Sequence, residues 1–141
     1  MATKTYSPKR VELIINGVPM KGFADGTFIS VERSNDAFST NVGADGEVSR
    51  THSSDKTGKV TLTLQQTSES NDFLSALVIL DEETLKGQFA LLLKDTNGTT
   101  ICESPSAWID KVANAEFGAE ISDREWIISC SELVSFVGGN N

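Results

Sequence analysis

Few side chains in this sequence could do chemistry, and their spacing argues against it. His52 is the one imidazole, followed directly by Ser53, Ser54 and Asp55. A nucleophilic triad needs nucleophile, base and orienting carboxylate to converge in space, which neighbours in a polar run do not supply. His52 therefore reads as a surface residue. Cys102 and Cys130 lie 28 apart with no CxxC pattern. Zinc takes three or four Cys/His ligands at characteristic spacings, and two cysteines with one histidine fit none of them. The thiols read as small core residues in a reducing compartment. Asp45-Gly46-Glu47 is too short for a calcium loop, which alternates acidic ligands and closes on a glutamate. Gly17, Gly22 and Gly26 lie outside any phosphate-loop pattern. Asp81-Glu82-Glu83 reads as a solvated helix end, and Trp108 and Trp126 as core residues of strands. No catalytic residue, metal-ligand set or cofactor site is expected, so the chain does not read as an enzyme.

The charge narrows the partners. Twelve Lys and Arg stand against twenty Asp and Glu, a net of −8 over 141 residues. A sequence-reading DNA-binding protein needs a basic face to neutralise phosphates, and anionic lipid is disfavoured for the same reason. The charge is uneven. Residues 1–60 hold eight Lys/Arg and seven Asp/Glu, a net of +1; residues 61–141 hold four and thirteen, a net of −9. That asymmetry suits a solvated acidic face, or a subunit whose less acidic part meets the acidic part of a neighbour. The longest apolar runs, Ala76–Leu80 and Phe89–Leu93, are five residues each, far below the ~20 needed to span a bilayer. The first eight residues lack an apolar core, so a signal peptide is not expected.

The elements read as mostly β with one helix, a single domain over 1–141. Val11–Ile15 is a strand closed by Asn16-Gly17, and Val18-Pro19-Met20 an edge segment. Phe28–Arg33 is a strand after the Asp25-Gly26 turn. Gly58–Gln66 alternates cleanly, with Val60, Leu62 and Leu64 on one face. A helix starts at Ser70 as N-cap and buries Phe73, Leu74, Leu77, Val78 and Leu80; Glu82-Glu83-Thr84 opposes its dipole and should fray. Gln88–Lys94 is apolar on both faces, the mark of a central strand or one covered by a partner. Asn97-Gly98 is a hairpin turn, Ser104-Pro105-Ser106 a break or bulge, Asp123–Phe136 one long final strand, and 138–141 a loose, flexible tail.

Residues 34–58 fit no such element. They are rich in Ser, Thr, Asn, Asp and Gly, yet carry the spaced apolar residues Phe38, Val42 and Val48. Loops longer than about 12–15 residues are uncommon and usually functional or disordered. The spacing favours an extended hairpin arm with Gly43–Gly46 near its tip, over a disordered loop.

The succession Val11-Glu12-Leu13-Ile14-Ile15-Asn16-Gly17, Val31-Glu32-Arg33-Ser34-Asn35-Asp36 and Asn41-Val42-Gly43-Ala44-Asp45-Gly46-Glu47-Val48 resembles the tail tube proteins of contractile-tailed bacteriophages. Gly58-Lys59-Val60-Thr61-Leu62-Thr63-Leu64-Gln65-Gln66 and Asn71-Asp72-Phe73-Leu74-Ser75-Ala76-Leu77 continue the resemblance, which covers essentially the whole chain. It implies an antiparallel β-barrel or sandwich with one flanking α-helix and a long extended arm. It further implies a structural virion subunit, assembled in the bacterial host cytoplasm. Hexameric rings would stack into a hollow conduit for DNA inside a contractile sheath, with sheath, tail terminator and baseplate proteins as partners and no membrane binding. The arm would meet the adjacent ring through Phe38, Val42, Asp45, Glu47, Val48 and Arg50. The acidic excess would line a lumen through which DNA slides without being gripped, with Glu103, Asp110, Glu116, Glu120, Asp123, Glu125 and Glu132 as candidates. The inner tube of a bacteriocin or type VI secretion machine is the close alternative. A non-viral carbohydrate-binding or adhesion sandwich is the distant one, favoured if Trp108 or Trp126 is exposed.

Overall fold

Strand β1, Val11–Ile15, follows a single 3-10 turn at Pro8–Arg10 in a computed structural model that describes residues 3–140. Asn16 and Gly17 have φ of 53° and 80°, the paired positive values of the two-residue turn that matches strand twist. They fold the chain back into β2, Val18–Pro19, with Val18 opposite Ile15. Pro19 is tolerated there because β2 is a sheet edge. The remaining elements are β3 (Ile29–Arg33), β4 (Phe38–Val42), β5 (Val48–His52), β6 (Gly58–Gln65), α1 (Ser70–Thr84), β7 (Phe89–Asp95), β8 (Ile101–Ile109), β9 (Asp123–Cys130) and β10 (Val134–Phe136).

Seven strands run in the order β2-β1-β7-β8-β9-β6-β3, every neighbour antiparallel, with β10 pairing β8 beside them. The residues after β2 draw this sheet round on itself. Phe23 bridges Leu64 of β6, the Ala24 N–H donates to Thr63, and the Gln65 N–H donates to Gly22. The result is a barrel-like roll with its seam at 22–24. Period-two alternation fills it: Leu13 and Ile15, Val60, Leu62 and Leu64, Phe89, Leu91 and Leu93, and Trp126, Ile128 and Cys130 all point inward. α1 lies against β8 and adds Leu74, Leu77 and Val78 to the same core.

Several expectations need correction. Ser70 is not the N-cap. Glu69 holds that position without a side-chain bond, while Ser70 is the first helical residue, buried, its hydroxyl accepting from the Lys21 N–H at 2.9 Å. The buried stripe of α1 is narrower than its apolar pattern: Leu80 is 46% exposed and Phe73 only half-buried. The helix runs through Thr84 and closes on left-handed Leu85, whose N–H donates to Asp81. The long final strand is two strands. Ser131 is tied by N–H and hydroxyl to the Ser106 carbonyl, and Leu133 turns into the core with its N–H on Lys56. Of the two readings of Ser104–Ser106, break or bulge, the bulge holds, inside a continuous β8: Leu91 faces Ser104 and Phe89 faces Ala107. The tail at 138–140 is not loose. The Thr100 hydroxyl donates to the Gly138 carbonyl and accepts from the Gly138 N–H, and Asn140 bridges Gly98. Asn141 lies outside the described residues.

Candidate assembly surfaces

β4 and β5 pair with each other and form a sheet of their own. The tip is built by short bonds. The Gly43 N–H donates to Glu47, the Gly46 N–H to Gly43, and the Glu47 N–H to the Asp45 carboxylate at 3.1 Å. Gly46 has a φ of 88°, which a side chain would resist. The register sets Phe38 opposite His52, Thr40 opposite Arg50, and Val42 opposite Val48. Those six share one face; Ser39, Asn41, Ser49 and Thr51 form the other. The Arg50 guanidinium lies over the Phe38 ring at 4.3 Å, and the Phe38 and His52 rings are 5.2 Å apart. Phe38, Val42 and Val48 are 47%, 60% and 65% exposed. An isolated two-stranded hairpin is marginal in water, so this amphipathic arm displays an apolar face that the rest of its own chain leaves uncovered.

The structure thus brings Phe38, Val42, Val48 and Arg50 together and leaves Asp45 and Glu47 apart at the tip. His52, read from sequence as a plain surface residue, joins the apolar face. Strand register would have found it, but only once the pairing was known. The arm's root is held by Asp55, whose carboxylate accepts from the Thr57 hydroxyl at 2.6 Å, the Thr57 N–H at 2.9 Å and the Asn35 amide. These bonds, the Thr57 hydroxyl foremost, hold its pKa below the ordinary carboxyl value.

The outward face of the main sheet has two halves. Over β3, β6 and β9 it is mostly polar: Ser30 and Glu32, Lys59, Thr61, Thr63 and Gln65, then Asp123, Glu125 and Ser129, with Ile127 the apolar exception. Over β1, β7, β10 and the first part of β8 it is largely apolar. There Ile14 faces Leu92, Leu92 faces Glu103, and Glu103 faces Val134. A cavity of about 490 Å³ opens on this half, lined by Ile14, Leu92, Pro105 and Val134 with Glu103 and Glu132. No sequence signal marked this groove, because β1, β7, β8 and β10 meet only through the topology.

The seven acidic candidates separate accordingly. Asp123 and Glu125 stand on the polar face of β9, opposite Gln65 and Thr63, and line one depression with Glu116 and one cation, Lys111. Asp110, at the end of β8, accepts from the Ser129 hydroxyl at 2.7 Å. Glu120 is exposed in the segment joining β8 to β9. Glu103 and Glu132 belong instead to the apolar groove, and Glu132 reaches Lys56 at 3.8 Å. The β8–β9 segment is held by Arg124, a buried side chain the sequence reading passed over. Its guanidinium donates to the Ser122 hydroxyl at 2.8 Å and the Glu116 carbonyl at 3.3 Å, and sits 5.3 Å from the Phe117 ring centre.

Reactive groups do not gather. Cys102 and Cys130 are free and buried, and burial pushes the Cys130 thiol above its ordinary pKa. Among the described residues no group of three or more His, Cys, Asp and Glu side chains is placed to hold a metal. Trp126 is buried and Trp108 half-buried, so neither offers the exposed indole a carbohydrate-binding sandwich would use.

A barrel with one flanking helix, a projecting amphipathic hairpin and two-faced outer strands suits a subunit that assembles with copies of itself. Residues 6–138 match the family model described as the bacteriophage PhiTE tail tube protein. The chain belongs to that tail tube family. This tail tube protein is 35% identical to Structural protein ORF10 of Pseudomonas phage KPP10, over 98% of this chain and 84% of the relative. Its fold is similar to a chain of the sheath-tube complex, in the extended state, of the extracellular contractile injection system PVC. That likeness has a TM-score of 0.59 at 14% identity, covering 94% of this chain and 91% of the other. It is also similar to a chain of the anti-feeding prophage tube-terminating cap, with a TM-score of 0.59 at 8% identity, covering 96% and 93%. The chain is a structural subunit of a phage tail tube, and the family is not an enzyme family.

Proposed function

We propose that this tail tube protein forms hexameric rings that stack into a hollow conduit for DNA inside a contractile sheath. In this reading the tube is assembled in the bacterial host cytoplasm, seated on baseplate proteins and closed by a terminator. The observation that carries the proposal is the arm. A hairpin with one apolar face and no cover in its own subunit is built to be covered by another, and a head-to-tail contact that does not close on itself grows into a filament. Phe38, Val42, Val48 and Arg50 are then the contacts between rings. Asp45 and Glu47 shape the tip that carries them. The test is deletion of Asn41–Glu47 followed by electron microscopy of the purified protein. Wild-type chains give tubes and deleted chains give rings or free subunits. Tubes of normal length after the deletion overturn the arm's role.

The polar half of the outer face is the proposed lumen wall, with Glu116, Asp123 and Glu125 as its acidic centre. Carboxylates repel phosphate, so DNA is guided and not held, whereas Lys and Arg would bind it. Glu103 and Glu132, on the apolar half, lie outside this wall. A map of the assembled tube with a net basic lumen would overturn this assignment.

A further inference from the structure

We propose that the groove over β1, β7, β8 and β10 receives the apolar face of the arm of a second copy of this chain, with Arg50 of the arm meeting Glu103 and Glu132. The inference deepens the reading of the chain as a self-assembling tube subunit, and rests on it. Its starting point is two uncovered apolar surfaces on one chain. One projects, carrying Phe38, Val42 and Val48; the other is concave, walled by Ile14, Leu92, Pro105 and Val134.

Their sizes agree. Strands of five residues span about 17 Å. Four neighbouring strands, at about 4.8 Å each, give a groove about 14 Å across. Their charges agree as well. The groove is lined by two ionisable residues, both carboxylates, and the arm's apolar face carries one guanidinium. Among the described residues Glu103 and Arg50 make no ion pair, and Glu132 makes only the 3.8 Å contact to Lys56. An arginine is suited to such a place: it is weakly hydrated, keeps its charge, and presents a fork that matches a carboxylate. Removing water from the apolar surfaces around such a pair strengthens it.

The occupant is another copy, not the chain's own arm. Lys56 lies just beyond β5, and its carbonyl accepts from the Leu133 N–H beside the groove. The arm therefore springs from the rim of its own groove, and its ten strand residues all remain exposed. Arm on one copy and groove on the next make a heterologous contact, the kind that runs on as a filament when its rotation does not close.

The test joins V48C subunits to V134C subunits. Both positions are exposed, and the native Cys102 and Cys130 are buried. The two variants are co-assembled, oxidised and run on a non-reducing gel. A dimer band found in the mixture, and in neither variant alone, is expected. Wild-type protein that forms no rings or tubes overturns the tube reading itself. Assembly without the mixed disulfide overturns the groove alone. R50E supplies a measurement independent of cysteine: it should raise the critical concentration for assembly about tenfold, and R50E/E103R should bring it back. A cross-link without that rescue keeps the groove and removes the Arg50–Glu103 contact. Rescue failing together with the cross-link removes both.

Discussion

The Trp126 indole N–H donates to the side-chain carbonyl of Asn71 at 2.9 Å. Trp126 is 2% exposed at the centre of β9, and Asn71 opens α1, so one bond ties the helix to the middle of the barrel. The Asn71 amide also donates to the Gln65 and Ser68 carbonyls, closing the turn between β6 and α1. Asn71→Ala removes all three bonds and leaves the indole N–H buried without a partner. The expected loss is about 2–3 kcal/mol, read as a lower urea midpoint at unchanged slope. An unchanged midpoint would mean that water takes over the indole.

Gly58 is a packing position. A Cβ there would stand 2.4 Å from Leu133 Cδ2 and 2.9 Å from the Glu32 carbonyl. Leu133 is fully buried and Glu32 is strand backbone, so neither yields easily. Gly58→Ala should cost about 1–3 kcal/mol through overpacking, measured by thermal or urea unfolding. G58A/L133A should recover less than the alanine at 58 costs, because losing Leu133 opens a cavity of its own.

Asp55 gives the arm's root a pH dependence. Its folded pKa lies below the ordinary value of 3.8, first through the Thr57 hydroxyl, then the Thr57 N–H and the Asn35 amide, with Arg33 adding its charge. A lowered folded value means that the contribution is complete above the unfolded pKa and disappears as pH falls through the folded one. Protection of the Thr57 and Ser34 amides, relative to their intrinsic exchange rates, should therefore fall as the pH drops below 3.8, while D55N should show no such step. Carboxyl carbon shifts that place the Asp55 midpoint at or above 3.8 would contradict this.

The strands were largely legible because burial on one side forces alternation. Val60, Leu62 and Leu64 announce β6, and Asn16-Gly17 announces its own turn through the positive φ that this pair tolerates. The hairpin arm was legible from Phe38, Val42 and Val48, too regular for a loop. What could not be read were features that tertiary contacts decide. Leu80 has the right spacing for the helix's inner face, yet the barrel does not reach it. Leu133 looked like the continuation of a strand, but the pocket beside Gly58 pulls it inward and splits the strand in two. The groove behind Glu103 and Glu132 assembles four strands distant in sequence. Periodicity marks the inside of a sheet; it does not say which outward residues become neighbours.

The thiols should be silent in the native state. Cys102 and Cys130 are buried in strands, and burial raises the Cys130 pKa, partly offset by a hydrogen bond with Ser104. Since the thiolate is the reactive form, a disulfide reagent at pH 8 should modify neither cysteine until denaturant is added. Two equivalents should then react. One fast equivalent in the native protein would show that β8 or β9 opens locally at its cysteine.

The bulge in β8 has a consequence for parity. Between Ser104 and Ala107 the chain spends two residues opposite the single Ala90, so both Ser104 and Ala107 point inward although they are three apart. An odd step of this kind resets which residues face in. Before it, Cys102 points inward while Glu103 and Pro105 face out; after it, Ala107 and Ile109 point inward and Trp108 out. β8 also changes partner on one edge at this point, from β10 to β9. Paired regularly with no bulge, the same residues would be inverted after Ser104: Trp108 would drive into the barrel, and Ala107 and Ile109 would turn to the outside. A single supernumerary residue therefore serves as the frame marker of the strand and holds two differently used stretches of one wall in phase.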